Sequence, residues 1–556
     1  MKTNWRTHMT DILLIQPPIR DFYLTAKRTV PYGLASVAAA MMAQGHTVTI
    51  LDALATTRKK NLSMPAEMAY LTPYYGRPDR SPFALFHQYR HFGLGFERIG
   101  RMARESGARL VGISSLFTAY AAEAVKTAEV VKAWHPDCTV VLGGHHPTAL
   151  PEQAMASSAV DFVLRGEGEV ALPALVSALE ANRPLTAVPG IVYRRENGTL
   201  HVGSPAVMAN PDLYPLPAVH LIDGRFYRRK SGASAVVVAS RGCPMACTYC
   251  CFGAHGPLPY RRRGLERVLA EIDIAVTRDG ARFIDFEDEN LSLDRAWFMA
   301  LLSAMKQRFG HLDLELRAMN GLFPPSLDPD MVQAMAAAGF NTLNLSLGST
   351  SAARLRAFGR PDVRAAFGRA LVWARASGLA AVGYVITAAP HQSADESLAD
   401  LIDLASRRVL AGVSVFYPAP GSLDWKRCDA MGLLPLQTSL MRSSALPLAH
   451  GATRDETVTV LRLARILNFM KYLKDRGEPI PAPQPWADPG RLDPGDRIGT
   501  GKRLLQWFLH DGRIRGLAGD GVVFEHGAVH RLTRTFLASV SPDAVRGAGM
   551  AGTDGA

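Results

Sequence analysis

Short apolar runs alternate with longer stretches of helical periodicity twice along this chain. In the first series, residues 11–15, 47–51, 110–114, 139–142 and 161–164 are near-continuous apolar runs that predict buried strands. Residues 32–43, entered through Pro31 and ended near Gly45, and residues 120–134 read as helices. Strands bounded by helices at these lengths predict an α/β fold with a doubly wound parallel sheet. Residues 190–194 and 200–202 read as a hairpin across Glu196-Asn197-Gly198, and the Pro-rich stretch 211–217 as a linker. A second strand–helix series begins at residue 233, with strands at 235–239, 283–286, 314–317, 342–347, 383–386 and 413–416. Beyond it lie an amphipathic helix at 456–474, a Pro-rich break at 479–496, an apolar run at 503–509 and a possible hairpin at 522–525. The small, Gly-rich end 546–556 is expected to lack order. The chain thus divides into residues 1–180, 181–232, 233–430 and a mainly helical 431–556.

Doubly wound sheets take ligands outside the carboxyl ends of their strands. In the first series those ends are Gln16-Pro17-Pro18, Ser114-Ser115-Leu116-Phe117, Gly143-Gly144-His145-His146 and Arg165-Gly166-Glu167-Gly168-Glu169. Glycines there let backbone approach a ligand, and serines can bond a polar tail. Barrel-type folds also keep their working groups at strand carboxyl ends. In the second series these are Glu287-Asp288-Glu289-Asn290, Arg317 and Gly348-Ser349-Thr350-Ser351. Residues 55–105, rich in tyrosine, phenylalanine and histidine, form an insertion too long for a plain connection, read either as a structural cover or as a loop over ligand.

Composition narrows the class. At 556 residues, 48% hydrophobic and 20% charged, this is a multidomain globular chain. Its formal net charge of +12 would suit anionic partners, but the basic residues are scattered apart from knots such as Arg261-Arg262-Arg263. No arginine–aromatic interleaving occurs, so a nucleic-acid partner is not expected. Residues 1–6 lack the apolar stretch of a signal peptide, and nothing approaches the ~20 apolar residues of a membrane span. A cytoplasmic location is expected.

The decisive chemistry is Cys243-Pro244-Met245-Ala246-Cys247-Thr248-Tyr249-Cys250, three thiols on one short loop. Three thiolates can hold three irons of a cubane cluster and leave the fourth open. A zinc site would need a further ligand cluster, and Cys138, Cys251 and Cys428 provide none. A disulfide framework does not suit a long chain of this kind. Cys251 reads as a buried neighbour pointing away from the ligands. The spacing, with an aromatic residue directly before the third cysteine, resembles the radical S-adenosylmethionine (SAM) enzymes.

That resemblance implies a [4Fe-4S] cluster on Cys243, Cys247 and Cys250, with SAM on the open iron. It also implies a partial (β/α)6 barrel, with Tyr249, Asp288, Arg317 and Ser349 around SAM. Relatives usually carry a glutamate where Gly348 stands, which puts one SAM contact in doubt. The first series, with Pro31-Tyr32-Gly33-Leu34 and Gly45-His46, resembles the Rossmann-like cobalamin-binding domain found ahead of such barrels. By resemblance Gly33, Ser115, Leu116, Gly143, Gly144 and Gly166 line the cobalamin. The stretch after the first strand lacks the cobalt-binding histidine of other cobalamin proteins, so no protein histidine is expected on cobalt. The implied activity is methyl transfer to an unactivated carbon of a small-molecule substrate through a 5′-deoxyadenosyl radical and methylcobalamin. An electron donor such as flavodoxin or ferredoxin is implied with it. The alternatives are radical cyclisation or rearrangement, a cobalamin-free radical SAM enzyme, and a non-catalytic corrinoid carrier. A methylthiotransferase is disfavoured, because the first domain lacks three cysteines for a second cluster.

Overall fold

Apolar strands with both faces covered build the first sheet. The computed structural model describes residues 12–24, 30–229 and 232–550. Seven strands, β1 (Ile12–Gln16), β2 (Val48–Asp52), β3 (Leu110–Ser114), β4 (Thr139–Gly143), β5 (Phe162–Leu164), β6 (Ile191–Arg194) and β7 (Leu200–Val202), lie in the order β7-β6-β5-β4-β3-β1-β2. β1 to β5 are parallel; β6 and β7 are antiparallel additions at the edge. The hairpin that the sequence set outside the first domain therefore extends its sheet. Residue 11, the predicted start of β1, lies outside the described residues. Along β1, Leu13 and Ile15 point into one apolar cluster and Ile12 and Leu14 into another. Helices α1 (Tyr32–Met42) and α4 (Gly168–Glu180) cover one face, α2 (Phe96–Ser106) and α3 (Ala121–Trp134) the other. The winding reverses between β1 and β3, which makes their carboxyl ends the switch point.

The second series forms six parallel strands in two groups of three: β8 (Gly232–Val237), β9 (Ala281–Phe286) and β10 (Glu315–Ala318), then β11 (Thr342–Gly348), β12 (Ala380–Thr387) and β13 (Leu410–Val415). Single bridges from Leu316 to Phe340 and from Leu322 to Leu345 join the groups into a partial barrel. Its outer residues, among them Ile284, Phe286, Leu343 and Leu345, share one core with the surrounding helices and with the C-terminal region.

That region covers the barrel's flank. Helix α5 (Arg454–Asp475) is closed at its start by a capping box between Thr453 and Glu456. The expected amphipathic pattern gives way to burial on most sides, including Arg462 and Lys471, because α5 sits between β13 and outer elements. The Asn468 side chain accepts from Ala411 N–H and donates to Ala411 C=O, both at 2.9 Å, and so continues the sheet beyond β13. Residues 546–550 are ordered, contrary to expectation: Asp475 accepts the N–H groups of Ala548, Gly549 and Met550 at 3.0, 2.9 and 3.1 Å. Residues 551–556, also expected to lack order, lie outside the described residues. The insertion at 55–105 contributes strands Lys59–Asn61 and Arg90–Phe92 to a small sheet with Ile19–Asp21. Its Tyr75 and Tyr89 pack with Phe22 against Ala388 and Val415, at the carboxyl ends of β12 and β13. Among the described residues, no helix is long and apolar enough to cross a membrane.

Two glycines separate backbone freedom from close packing. Gly166 has φ +84°, and a Cβ there would lie 2.2 Å from the Ala206 carbonyl oxygen; Gly198 has φ +81° with nothing within 4 Å. Gly198→Ala should cost about 1 kcal/mol, whereas Gly166→Ala should exceed it by about 2 kcal/mol or more. Denaturant unfolding of the two variants measures the difference.

Candidate active site between sheet and barrel

The cysteine loop begins where β8 ends. Gly242 has φ +73°, and its α-carbon packs so closely on the Pro259 carbonyl that a Cβ would lie 2.6 Å from the oxygen. The loop is pinned internally by Cys243 N–H to Phe252 C=O at 3.0 Å and Ala254 N–H to Met245 C=O at 2.8 Å. Outside anchors come from the barrel: Thr248 N–H donates to Phe358 C=O at 2.9 Å, and its hydroxyl to Asp424 at 2.8 Å. Cys243, Cys247 and Cys250 lie within electrostatic reach of one another. Burial pushes the Cys250 thiol up to about 12, helped by its cysteine neighbours, and raises Cys243 as well. Thiols crowded in a dry pocket favour a cationic metal in place of their protons. Among the described residues, no three His, Cys, Asp or Glu converge on the geometry of a single ion. Ligands that each take a different iron of a cube need not do so, and the trio fits a cluster.

The sequence-predicted SAM residues occupy four separate settings. Tyr249 stays on the loop, edge-on to Phe358 with ring centroids 5.3 Å apart, and its hydroxyl accepts from Arg360 at 3.3 Å. Asp288 is 2% exposed and supports the loop from beneath, accepting from Ala239 N–H at 3.1 Å and the Ser240 hydroxyl at 2.5 Å. Burial pushes its carboxyl up to about 6 against those two hydrogen bonds. Glu289, also pushed up by burial, to about 7, is the carboxylate whose charge bears on Cys243 and Cys251. Arg317 points into the barrel, where it pairs with Asp285 at 2.5 Å. Ser349 is bound to Asp400 at 3.1 Å, which also accepts from Thr350. Gly348 has φ +86°, and a Cβ there would press within 3.3 Å of Arg360 Cδ, so glycine suits this turn.

At the switch point of the first sheet, Pro17, Pro18, Ser115, Leu116, Phe117 and Tyr120 line a hollow. Ser115 is 3% exposed, yet its hydroxyl has no partner, while Leu116 and Phe117 are 42% and 47% exposed beside it. A Cβ on Gly144, φ +123°, would strike the Ser115 carbonyl oxygen at 2.6 Å, so the β3 and β4 loops touch through bare backbone. Gly143 and Gly33 are uncrowded. An open apolar platform beside an unsatisfied buried hydroxyl fits a flat group with a polar tail. His146 is buried, which holds its imidazole neutral, down to about 4.

The two halves meet directly. His145, which opens the short helix after β4, stands edge-on to Phe252 at 4.3 Å, and a Cβ added at Gly421 would touch both Cys251 and Ala149 at the same seam. Arg241, two residues before Cys243, donates to Glu167 at 3.1 Å and Glu169 at 2.5 Å; Arg261 reaches Glu167 from the other side at 2.5 Å. Arg263, Glu271 and Tyr32 add a second bridge between barrel and first domain. Glu167 is legible in the sequence as part of a strand-end loop but not as a partner of the cysteine loop; Arg241 and Arg360 carry no sequence signal beyond Arg241's place beside the cysteine motif.

The B12 binding domain profile matches residues 85–176, and the radical SAM superfamily profile matches residues 237–405. The chain thus carries a B12-binding domain and a radical SAM domain. It is 27% identical over 432 residues to an uncharacterized methyltransferase, PH0819, of Pyrococcus horikoshii, across 76% of this chain and 84% of that one. It is 23% identical over 470 residues to the cytidylyl-2-hydroxyethylphosphonate methyltransferase of Streptomyces wedmorensis, across 78% and 84%. The solved cobalamin-dependent SAM radical enzyme OxsB, with aqua-cobalamin and SAM bound, superposes with a TM-score of 0.62 at 13% identity, covering 90% of this chain and 72% of that one. The acidic start of α4 and the basic flanks of the cysteine loop form the joint between the two matched domains. Glu167→Ala should leave Arg241 and Arg261 partly buried without their shared carboxylate and cost about 3–5 kcal/mol. Limited proteolysis at the seam, compared with wild type, is the check.

Proposed function

We propose that this protein is a cobalamin-dependent radical SAM methyltransferase that acts on an unactivated carbon of a small molecule. The observation that carries the reading is the seam: the cysteine loop and the corrinoid-side loops of the first sheet touch through His145 and Phe252, locked by Arg241 and Glu167. When bound, the cluster, SAM and cobalamin supply the radical that removes a substrate hydrogen and the methyl group that replaces it. Cys243, Cys247 and Cys250 hold the cluster in this reading. Tyr249 and Glu289 border the SAM space, and Asp288 acts through Ser240 and Ala239 to fix the loop. Arg317, paired to Asp285, presents its remaining N–H groups to the barrel interior, while Ser349 stiffens the β11 turn through Asp400. Gly33, Ser115, Leu116, Gly143, Gly144 and Gly166 border the corrinoid.

Positioning is the chain's own contribution, since a substrate radical must meet its methyl donor before solvent or protein quenches it. The insertion that packs on the ends of β12 and β13 supports exclusion of water from the barrel mouth. A low-potential electron donor of the flavodoxin or ferredoxin class and a cytoplasmic setting complete the proposal.

Anaerobic protein reconstituted with iron, sulfide and hydroxocobalamin, then reduced and given SAM, should form both S-adenosylhomocysteine and 5′-deoxyadenosine. Cys247→Ala should lose the iron and the deoxyadenosine together. Deoxyadenosine without S-adenosylhomocysteine, read by mass spectrometry, would replace methyl transfer with cyclisation or rearrangement.

A further inference from the structure

Arg360 is a buried cation that pairs with no carboxylate among the described residues. It is 7% exposed, and Nη1 donates to Cys247 Sγ at 3.7 Å as well as to the Tyr249 hydroxyl. Nη2 donates to the Ser346 hydroxyl at 3.0 Å and to the Ser346 carbonyl, and the Phe323 ring lies 5.6 Å away. Of the four other buried arginines among the described residues, three have acidic partners: Arg354 has Glu396 at 2.9 Å, Arg442 has Asp21 at 3.1 Å and Arg515 has Asp511 at 2.5 Å, while Arg462 donates to the Tyr74 carbonyl at 3.2 Å. The groups whose anionic forms would act most on Arg360 are the Tyr249 phenol and the Cys247 thiol. Burying a cation is costly unless an anion faces it. The turn is shaped to admit it, since any side chain at Gly348 would crowd Arg360 Cδ.

We propose that the Arg360 guanidinium is the counter-charge of the cluster held by Cys243, Cys247 and Cys250, and that it raises the cluster's reduction potential. This rests on the cluster assignment made above. Reduction adds one electron from an external low-potential donor and makes the cluster one unit more negative. A fixed cation in a dry site favours that more negative state. The loop itself is held by Thr248, Phe358 and Asp424, so Arg360 is not needed to shape it.

The test is an electron-paramagnetic-resonance redox titration, with iron content, of reconstituted wild type, Arg360→Gln, Arg360→Lys and Ser346→Asp. Ser346→Asp neutralises the guanidinium while leaving it in place. Arg360→Gln and Ser346→Asp should bind wild-type iron yet shift the reduced-to-oxidised ratio at a given potential by about tenfold toward oxidised, ~59 mV for one electron. Arg360→Lys should stay near wild type. An unchanged midpoint in Arg360→Gln overturns the proposal, as does an equal shift in Arg360→Lys. Iron loss in Arg360→Gln also overturns it, by making Arg360 a support of the loop. Wild type that takes up no iron would instead remove the cluster assignment itself.

Discussion

The ion cluster of Arg241, Glu167, Glu169 and Arg261 is the constraint on which the rest depends. Two acidic residues at the start of α4, immediately after the Gly166 turn, hold the two arginines that flank the cysteine loop. The same few residues thus fix the Gly166 loop of the first sheet and the cysteine loop of the barrel. Because Glu167 and Glu169 are 4% and 6% exposed, solvent screens these pairs weakly, and geometry at the seam is held tightly.

Much of the architecture is legible along the chain because buried parallel strands need continuous apolar runs. β1, β3 and β4 satisfy that rule residue by residue. The cysteine motif is equally local, since its three cysteines lie within eight consecutive positions. Contacts that close over long separations are not written there. Arg360 reaches Cys247 across 113 residues, and nothing in the intervening pattern announces it. Asp288 was legible as an acidic group at a strand end, but its engagement with Ser240 and Ala239 depends on how β8 and β9 lie side by side. α5 misled for a related reason: its polar residues looked solvent-facing, yet Lys471 donates to the carbonyls of Ala405, Arg407 and Arg546 inside the fold.

The barrel interior departs from the apolar filling common in closed (β/α)8 barrels. Register places Val236, Asp285 and Arg317 in one row, and the Arg229–Glu315 pair at 3.0 Å lies nearby. Tyr384 donates to Asn344 on the neighbouring strand β11 at 3.0 Å. Asp285 Oδ1, Arg317 Nε and Asn344 Nδ2 are buried with no partner. Buried atoms left this way carry an unmet hydrogen-bonding demand inside the barrel.

The Asn468 amide has a consequence for the molecule among its own copies. β13 ends its group of strands and would otherwise present unpaired backbone along its free side. One side chain occupies both hydrogen-bonding groups of Ala411, and α5 covers the remainder. Open strand edges recruit further strands, and here a single amide mimics the neighbour that the sheet lacks.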